Sequence, residues 1–312
     1  MRIVFLGTPA FAVPSLDALA RAGHELLAVV AQPDRPAGRG HALKEPATKA
    51  WAGAHGVPVL QPEKVRDGKL ADALRALRPD VLCVAAYGRI LGKDLLELAP
   101  LGAVNVHGSL LPAYRGAAPI QWAVANGEHE TGVSIMQMDE GLDTGDVLLQ
   151  RALPIGEADT AEAVAPRLAA LGGEALVEAL ELLGRGEAVP VRQDGSRATL
   201  APILEKEHGR IDWSRPAAEI ANRLRGFTPW PGVWTTLDGR SVKILSAAPG
   251  VLAAGAGAAP GAARKEAGRG VSVACGGGTA LLVARLQPEG KAPQDALAFL
   301  NGLRRDAFAF GT

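Results

Sequence analysis

Val104-Asn105-Val106-His107-Gly108-Ser109-Leu110-Leu111-Pro112 sets an amide and an imidazole two residues apart in a β-branched run. In a strand, residues i and i+2 share a face. Asn105 and His107 therefore point one way and Val104 and Val106 the other, and Gly108 with Pro112 turns the strand into a loop. A polar pair at the end of a buried strand marks a candidate active site. The competing reading is a histidine satisfied by hydrogen bonds inside a core.

Outward from this stretch, apolar runs at residues 3–6, 25–32, 57–61, 80–86 and 102–106 alternate with helical patterns at 14–22, 47–55, 69–77 and 94–98. That alternation predicts βαβ units in an α/β fold, with a Rossmann-like, mostly parallel sheet. Ligands of such sheets bind outside the carboxyl ends of the strands, where Asn105 and His107 stand. The first turn, Gly7-Thr8-Pro9-Ala10-Phe11-Ala12, is not G-x-G-x-x-G. Its proline and phenylalanine fill positions where a pyrophosphate needs small residues, which disfavours a dinucleotide oxidoreductase.

A polar insertion at residues 33–44 exceeds the usual βα connection. It carries Arg35, Arg39 and Lys44 on a Pro/Gly scaffold, suited to phosphate contact without sequence readout; a plain surface loop is the alternative. A strand at 131–138 leads into Asp139-Glu140-Gly141-Leu142-Asp143-Thr144-Gly145-Asp146, then a strand at 147–150 and a helix at 160–183. The acid spacing is wrong for a calcium loop, and no His/Cys cluster supports a transition metal, so no metal is expected. A carboxylate from this loop meeting His107 fits better.

With 312 residues the chain suggests two domains. The boundaries expected are 1–188 for a catalytic domain, 189–205 for a polar linker and 206–312 for a second domain. Beyond the linker, Ser214 is the expected N-cap of a helix at 216–225. Short strands at 233–237, 242–247, 271–275 and 280–286 imply a small β-barrel or sandwich. The Ala/Gly-rich stretch 250–270 reads as a loop. Residues 1–205 hold 19 basic and 25 acidic side chains, against 14 and 8 in residues 206–312. A basic second half hints at a polyanionic partner such as nucleic acid. No apolar run is long enough to span a bilayer, and the start lacks the parts of a signal peptide. Cys83 and Cys275 read as small core residues of a cytoplasmic protein. A monomer without membrane contact is expected.

If Asn105, His107 and Asp143 converge, an amide donor and an imidazolium could stabilise the oxyanion of a tetrahedral intermediate. A carboxylate could hold the histidine in one tautomer. With no Ser or Cys in a nucleophile elbow, direct attack by an amine or water is more natural than an acyl-enzyme. The residues thus reach acyl or one-carbon transfer and name neither donor nor acceptor.

The chain resembles the methionyl-tRNA formyltransferase family over essentially its whole length. The resemblance rests on Phe5-Leu6-Gly7-Thr8-Pro9, the run Gln32 to Gly40, Asn105 to Pro112, Arg115 to Gln121 and Gly141-Leu142-Asp143-Thr144-Gly145. Residues 210–214 and 229–232 of the second half match as well. It implies transfer of formyl from 10-formyltetrahydrofolate to the α-amino group of methionine on initiator tRNA. It carries Asn105, His107 and Asp143 as the catalytic set and Ser109, Leu110, Leu111 and Pro112 as the folate-binding segment. Arg89 and Leu91 match positions whose backbone lines the pterin pocket of related enzymes. The 33–44 insertion would read tRNA, with Arg39 at the acceptor end, and an OB-like barrel would hold the tRNA backbone. One departure is Ile203, where many relatives carry lysine. The alternatives are a folate-dependent enzyme acting on a small amine, an amino sugar or water, and a non-enzymatic RNA-binding protein. The basic insertion and basic barrel favour tRNA over a small acceptor.

Overall fold

The computed structural model describes residues 1–37, 42–251, 258–266, 270–303 and 308–311. They divide into two compact units: Met1–Pro119, Glu130–Pro154 and Val164–Pro202 form the first, and Ile120–His129, Ile155–Ala163 and Ile203–Thr312 the second. The first runs through β1 (Arg2–Gly7), α1 (Val13–Arg21), β2 (Glu25–Val30), β3 (Arg35–Ala37), β4 (Ala42–Lys44), α2 (Ala47–Ala54) and β5 (Val59–Leu60). It continues with α3 (Lys69–Leu77), β6 (Val81–Ala85), α4 (Lys93–Leu96) and β7 (Ala103–His107). After α5 (Pro119–Ala125), which straddles the two units, come β8 (Glu130–Gln137), β9 (Val147–Pro154) and α6 (Ala161–Arg185).

The sheet order is β5-β2-β1-β6-β7-β8-β9. Every neighbour up to β7 is parallel, and β8 and β9 close the edge antiparallel. The inner parallel strands read as continuous apolar runs because both faces are covered; β6, Val-Leu-Cys-Val-Ala, is buried at every residue. Burial pushes the Cys83 thiol far above its usual value, so it is packing and not a nucleophile. The 33–44 insertion contains a two-stranded ribbon, β3 with β4, pairing Arg35 with Lys44 across the ladder.

Behind β7 lies α6, which carries Gly172-Gly173 in its interior despite their poor helix propensity. Close packing explains the pair. A Cβ on Gly172 would stand 2.7 Å from Cγ1 of Val106, and one on Gly173 2.7 Å from the carbonyl oxygen of Pro14. The apolar face of the Asn105–His107 strand is thus set against a bare stretch of helix backbone.

The second unit adds α7 (Ala217–Phe227), β10 (Val233–Leu237), β11 (Arg240–Val251), β12 (Ala262–Glu266), β13 (Gly270–Ala274), β14 (Thr279–Pro288), β15 (Gln294–Asp295), α8 (Ala296–Gly302) and β16 (Phe308–Ala309). Its antiparallel sheet, β10-β11-β14-β13-β12-β16, curls until Phe310, just past β16, bridges Leu237 of β10. This is an OB-like partial barrel, and the closure covers two edges that would otherwise be open.

Two expectations are revised here. Ser214 is not the cap of α7, whose N-cap is Pro216. The Ser214 hydroxyl and N–H instead donate to Asp212 and hold that carboxyl below its usual range. The N–H of Ala217 is capped by the Thr279 hydroxyl at 2.9 Å, from β14, a partner that local sequence does not reveal. The 250–270 stretch is partly strand: it holds the end of β11 and all of β12, while residues 252–257 and 267–269 lie outside the described residues.

Gly173→Ala should lower stability by about 1–3 kcal/mol through overpacking, although alanine is the better helix former. Gly53 of α2 is exposed with open space around it, so Gly53→Ala should raise stability by up to about 1 kcal/mol. Urea melts of the two variants beside the parent check the opposite signs.

Candidate active site

Period-2 alternation on β7 brings Asn105 and His107 to one face, and both are nearly buried, at 9% and 5% exposure. They stand at the carboxyl end of the last parallel strand, where the sheet turns antiparallel. No side-chain hydrogen bond is made by Asn105 among the described residues, so its amide has donors and an acceptor to offer. The imidazole of His107 is held by Nε2, 2.9 Å from the carbonyl oxygen of Tyr114. A carbonyl can only accept, so Nε2 carries a proton and Nδ1 is left to face Asp143.

Asp143 reaches that position from an unexpected direction. Gln137, the last residue of β8, pairs with Val104 near the start of β7, about 10 Å along the strand from His107 at 3.3 Å per residue. The loop 139–146 therefore folds back over the sheet to bring Asp143 Oδ2 within 3.6 Å of His107 Nδ1. The same oxygen accepts the N–H of Gly116 at 2.8 Å. The sequence expectation that a loop carboxylate meets His107 describes this arrangement, with one difference: the Tyr114 carbonyl, and not Asp143, fixes the tautomer. The other acid at the start of the loop, Asp139, accepts from the Thr144 hydroxyl and the N–H of Gly141 and serves the loop's own shape. Backbone strain collects here. Tyr114, Gly116 and Asp143 have φ of 61°, 123° and 51°, in the left-handed region that non-glycine residues avoid.

The segment after His107 is fixed by a buried hydroxyl. Ser134 of β8, fully buried, donates through Oγ to the carbonyl of Ser109 at 2.7 Å and accepts from the N–H of Leu111 at 3.0 Å. Ser109, also fully buried, donates to the Ala113 carbonyl. Gln150 of β9 donates to both Ser134 Oγ and the Leu111 carbonyl. Of the candidate folate residues, Ser109 and Leu111 are buried, and Leu110 and Pro112 partly exposed. Arg89 is exposed and Leu91 buried on the loop after β6; the backbone groups of both have no partner among the described residues.

Arg35 and Lys44 stand exposed on the ribbon; Arg39 lies outside the described residues. Gln32 joins the ribbon to the loop after β6, accepting from Arg35 at 2.7 Å and donating to the Tyr87 carbonyl at 2.8 Å.

Sequence reasoning missed one segment. Residues 189–201, expected as a plain linker, are laced onto the first unit. Val191 exchanges two backbone hydrogen bonds with Val147, and the N–H groups of Arg115 and Ala201 donate to Thr199 and Arg115. Gln193 donates to the carbonyls of Asp143 and Gly145 and accepts from Arg115. A polar stretch without period gives no sign of such bonds.

The pattern of the formyl transferase family matches residues 1–180, and that of the formyl transferase C-terminal domain residues 203–304. The methionyl-tRNA formyltransferase of Anaeromyxobacter dehalogenans (strain 2CP-1) is 73% identical over 312 residues, covering 100% of both chains. Among solved structures, an N-formyltransferase from Helicobacter canadensis in complex with folinic acid and dTDP-3-aminofucose superposes with a TM-score of 0.66 at 17% identity, over 92% of this chain and 98% of that one. HypX from Aquifex aeolicus in complex with tetrahydrofolic acid gives 0.62 at 19% identity, over 98% of this chain and 48% of that one. Both share the fold. A formyl-transferase pattern over the unit that carries the Asn105–His107–Asp143 cluster, joined to full-length identity with a named relative, places this chain in the methionyl-tRNA formyltransferase family.

Proposed function

We propose that the protein transfers the formyl group of 10-formyltetrahydrofolate to the α-amino group of methionine on initiator methionyl-tRNA. The observation that carries this is the Asn105 amide, without a side-chain hydrogen bond among the described residues, beside a His107–Asp143 pair at a strand end whose serines, Ser109 and Ser134, donate their hydroxyls to backbone carbonyls. Such a site suits direct attack by an amine. The new C–N bond forms at the formyl carbon, the bond from that carbon to the folate nitrogen breaks, and the proton lost by the amine is replaced by one on the leaving nitrogen.

Asn105 donates to the oxyanion that develops on the formyl oxygen. The Nε2 proton of His107 is committed to Tyr114, so the imidazole acts through Nδ1, where a proton held between ring and carboxylate can be passed on. Asp143 sets that position and manages the amine's proton, directly or through a water. The turn of Ser109, Leu110, Leu111 and Pro112 forms the floor under the donor. The backbone groups of Arg89 and Leu91, without partners among the described residues, suit the donor-and-acceptor edge of a pterin. No metal is assigned a role.

For the tRNA, Arg35 and Lys44 sit opposite one another on the ribbon, where exposed cations meet phosphates, and Arg39 joins them on the same insertion. In the second unit Lys206 and Arg210 lie 5.6 Å and 5.9 Å from the centre of the Trp234 ring, an aromatic–basic surface suited to a nucleic-acid backbone. We assign residues 1–188 to catalysis, 206–312 to tRNA binding, and the protein to the cytoplasm as a monomer.

Incubation with 10-formyltetrahydrofolate and either initiator or elongator methionyl-tRNA should give formyl incorporation on the initiator species; formylation of a small amine or amino sugar instead would refute the assignment. His107→Ala and Asp143→Asn should each lower turnover by roughly two to four orders of magnitude, with folding checked by circular dichroism. Arg39→Ala should raise KM for the aminoacylated tRNA and leave the donor's affinity unchanged; equal loss of both would count against the loop's role.

A further inference from the structure

We infer that Gln193, on the segment that sequence marks only as a linker, is a positioning residue that holds Asp143 at the reacting site. The inference rests on the reading of Asp143 as catalytic.

Asp143 occupies a left-handed backbone conformation on a loop that must fold back across the sheet, and the Asp139 bonds to Gly141 and Thr144 shape that loop without reaching the Asp143 backbone. One carboxamide does. Gln193 Nε2 donates to the carbonyl of Asp143 at 2.9 Å and to that of Gly145 at 2.7 Å, spending both its N–H groups on the loop. Its Oε1 accepts from Arg115, at 3.1 Å from Nε and 2.7 Å from Nη2. Two carbonyls on one side and a guanidinium on the other leave a single orientation for the amide, because the carbonyls only accept and the guanidinium only donates.

Arg115 is the middle residue of the peptide that grips the cluster: Tyr114 before it accepts from His107, and Gly116 after it donates to Asp143. Gln193 therefore joins the Asp143 backbone to the backbone that sets both side chains. Its own place is held on either side by the Val191–Val147 and Thr199–Arg115 backbone bonds. Gln193 itself touches no reacting group in this scheme: its two N–H groups act through the Asp143 loop, and its oxygen braces Arg115.

Glutamate at this position keeps the length and the Arg115 contact and replaces the two donors by an acceptor that faces the Asp143 and Gly145 carbonyls, while leucine removes both ends. In single-turnover formylation of initiator methionyl-tRNA with 10-formyltetrahydrofolate, Gln193→Glu and Gln193→Leu should each be roughly 10- to 100-fold slower, the range for misplacing a catalytic group by about 1 Å. KM for donor and tRNA should stay within about threefold. The deciding measurement is the double variant. On an Asp143→Asn background, Gln193→Glu, which keeps the Arg115 contact, should cost no more than about twofold, because the group its donors position is already disabled. Multiplicative loss in the double variant, or parental rates in both single variants, would overturn the inference. If Gln193→Leu does not fold, Gln193→Glu carries the test. A near-parental rate in Asp143→Asn itself would remove the catalytic reading of Asp143, an outcome distinct from failure of the Gln193 inference.

Discussion

A single peptide, Tyr114 to Gly116, holds both titratable members of the cluster. Its carbonyl accepts from His107 and its N–H donates to Asp143. Backbone groups are rigid partners: they fix distance and direction without side-chain entropy to lose. The cost is a backbone in the left-handed region at Tyr114 and Gly116, and the surrounding structure must hold it there. The 191–201 segment does so with hydrogen bonds on both sides of Arg115. The site is thus a product of chain path as much as of side-chain identity.

The same division separates what could be read in the sequence from what could not. The Asn105–His107 pair was legible because a strand repeats every two residues, and the parallel sheet because fully covered strands run apolar without interruption. The helix at Lys69–Leu77 was legible to the residue, since its amphipathic pattern is local. The Asp143 contact could be guessed as chemistry, but its route could not, because folding back over the sheet leaves no periodic mark. Gln193 escaped altogether. Its partners are 50 residues away at Asp143 and 78 at Arg115, and a lone glutamine among polar neighbours carries no pattern. The cap of α7 failed for the same reason: Thr279 lies 62 residues from Ala217, and a nearby serine offered a local but wrong candidate.

A solved N-formyltransferase that shares this fold is in complex with a nucleotide sugar, and the full-length relative is named for methionyl-tRNA. The present chain keeps both the cluster and the cation-bearing ribbon within its first unit. The proposed division of labour sets chemistry at the strand end and selection of the amine on surfaces apart from it. Gln32, bonded at once to Arg35 of the ribbon and to the Tyr87 carbonyl, physically joins the surface proposed for the acceptor to the loop proposed for the donor.

The hold on His107 by a main-chain carbonyl has a bearing on how this site can drift over time. No substitution at Tyr114 can delete a carbonyl oxygen, so the proton's address on the ring depends on the backbone staying at its φ of 61° and not on the phenol. Gly116 is bound more tightly still. Its φ of 123° suits glycine, and an added Cβ would stand 2.6 Å from the Ala201 carbonyl oxygen. Two positions on either side of Arg115 thus serve the site through their backbone, and at both the trace of the chain matters more than the side chain it carries.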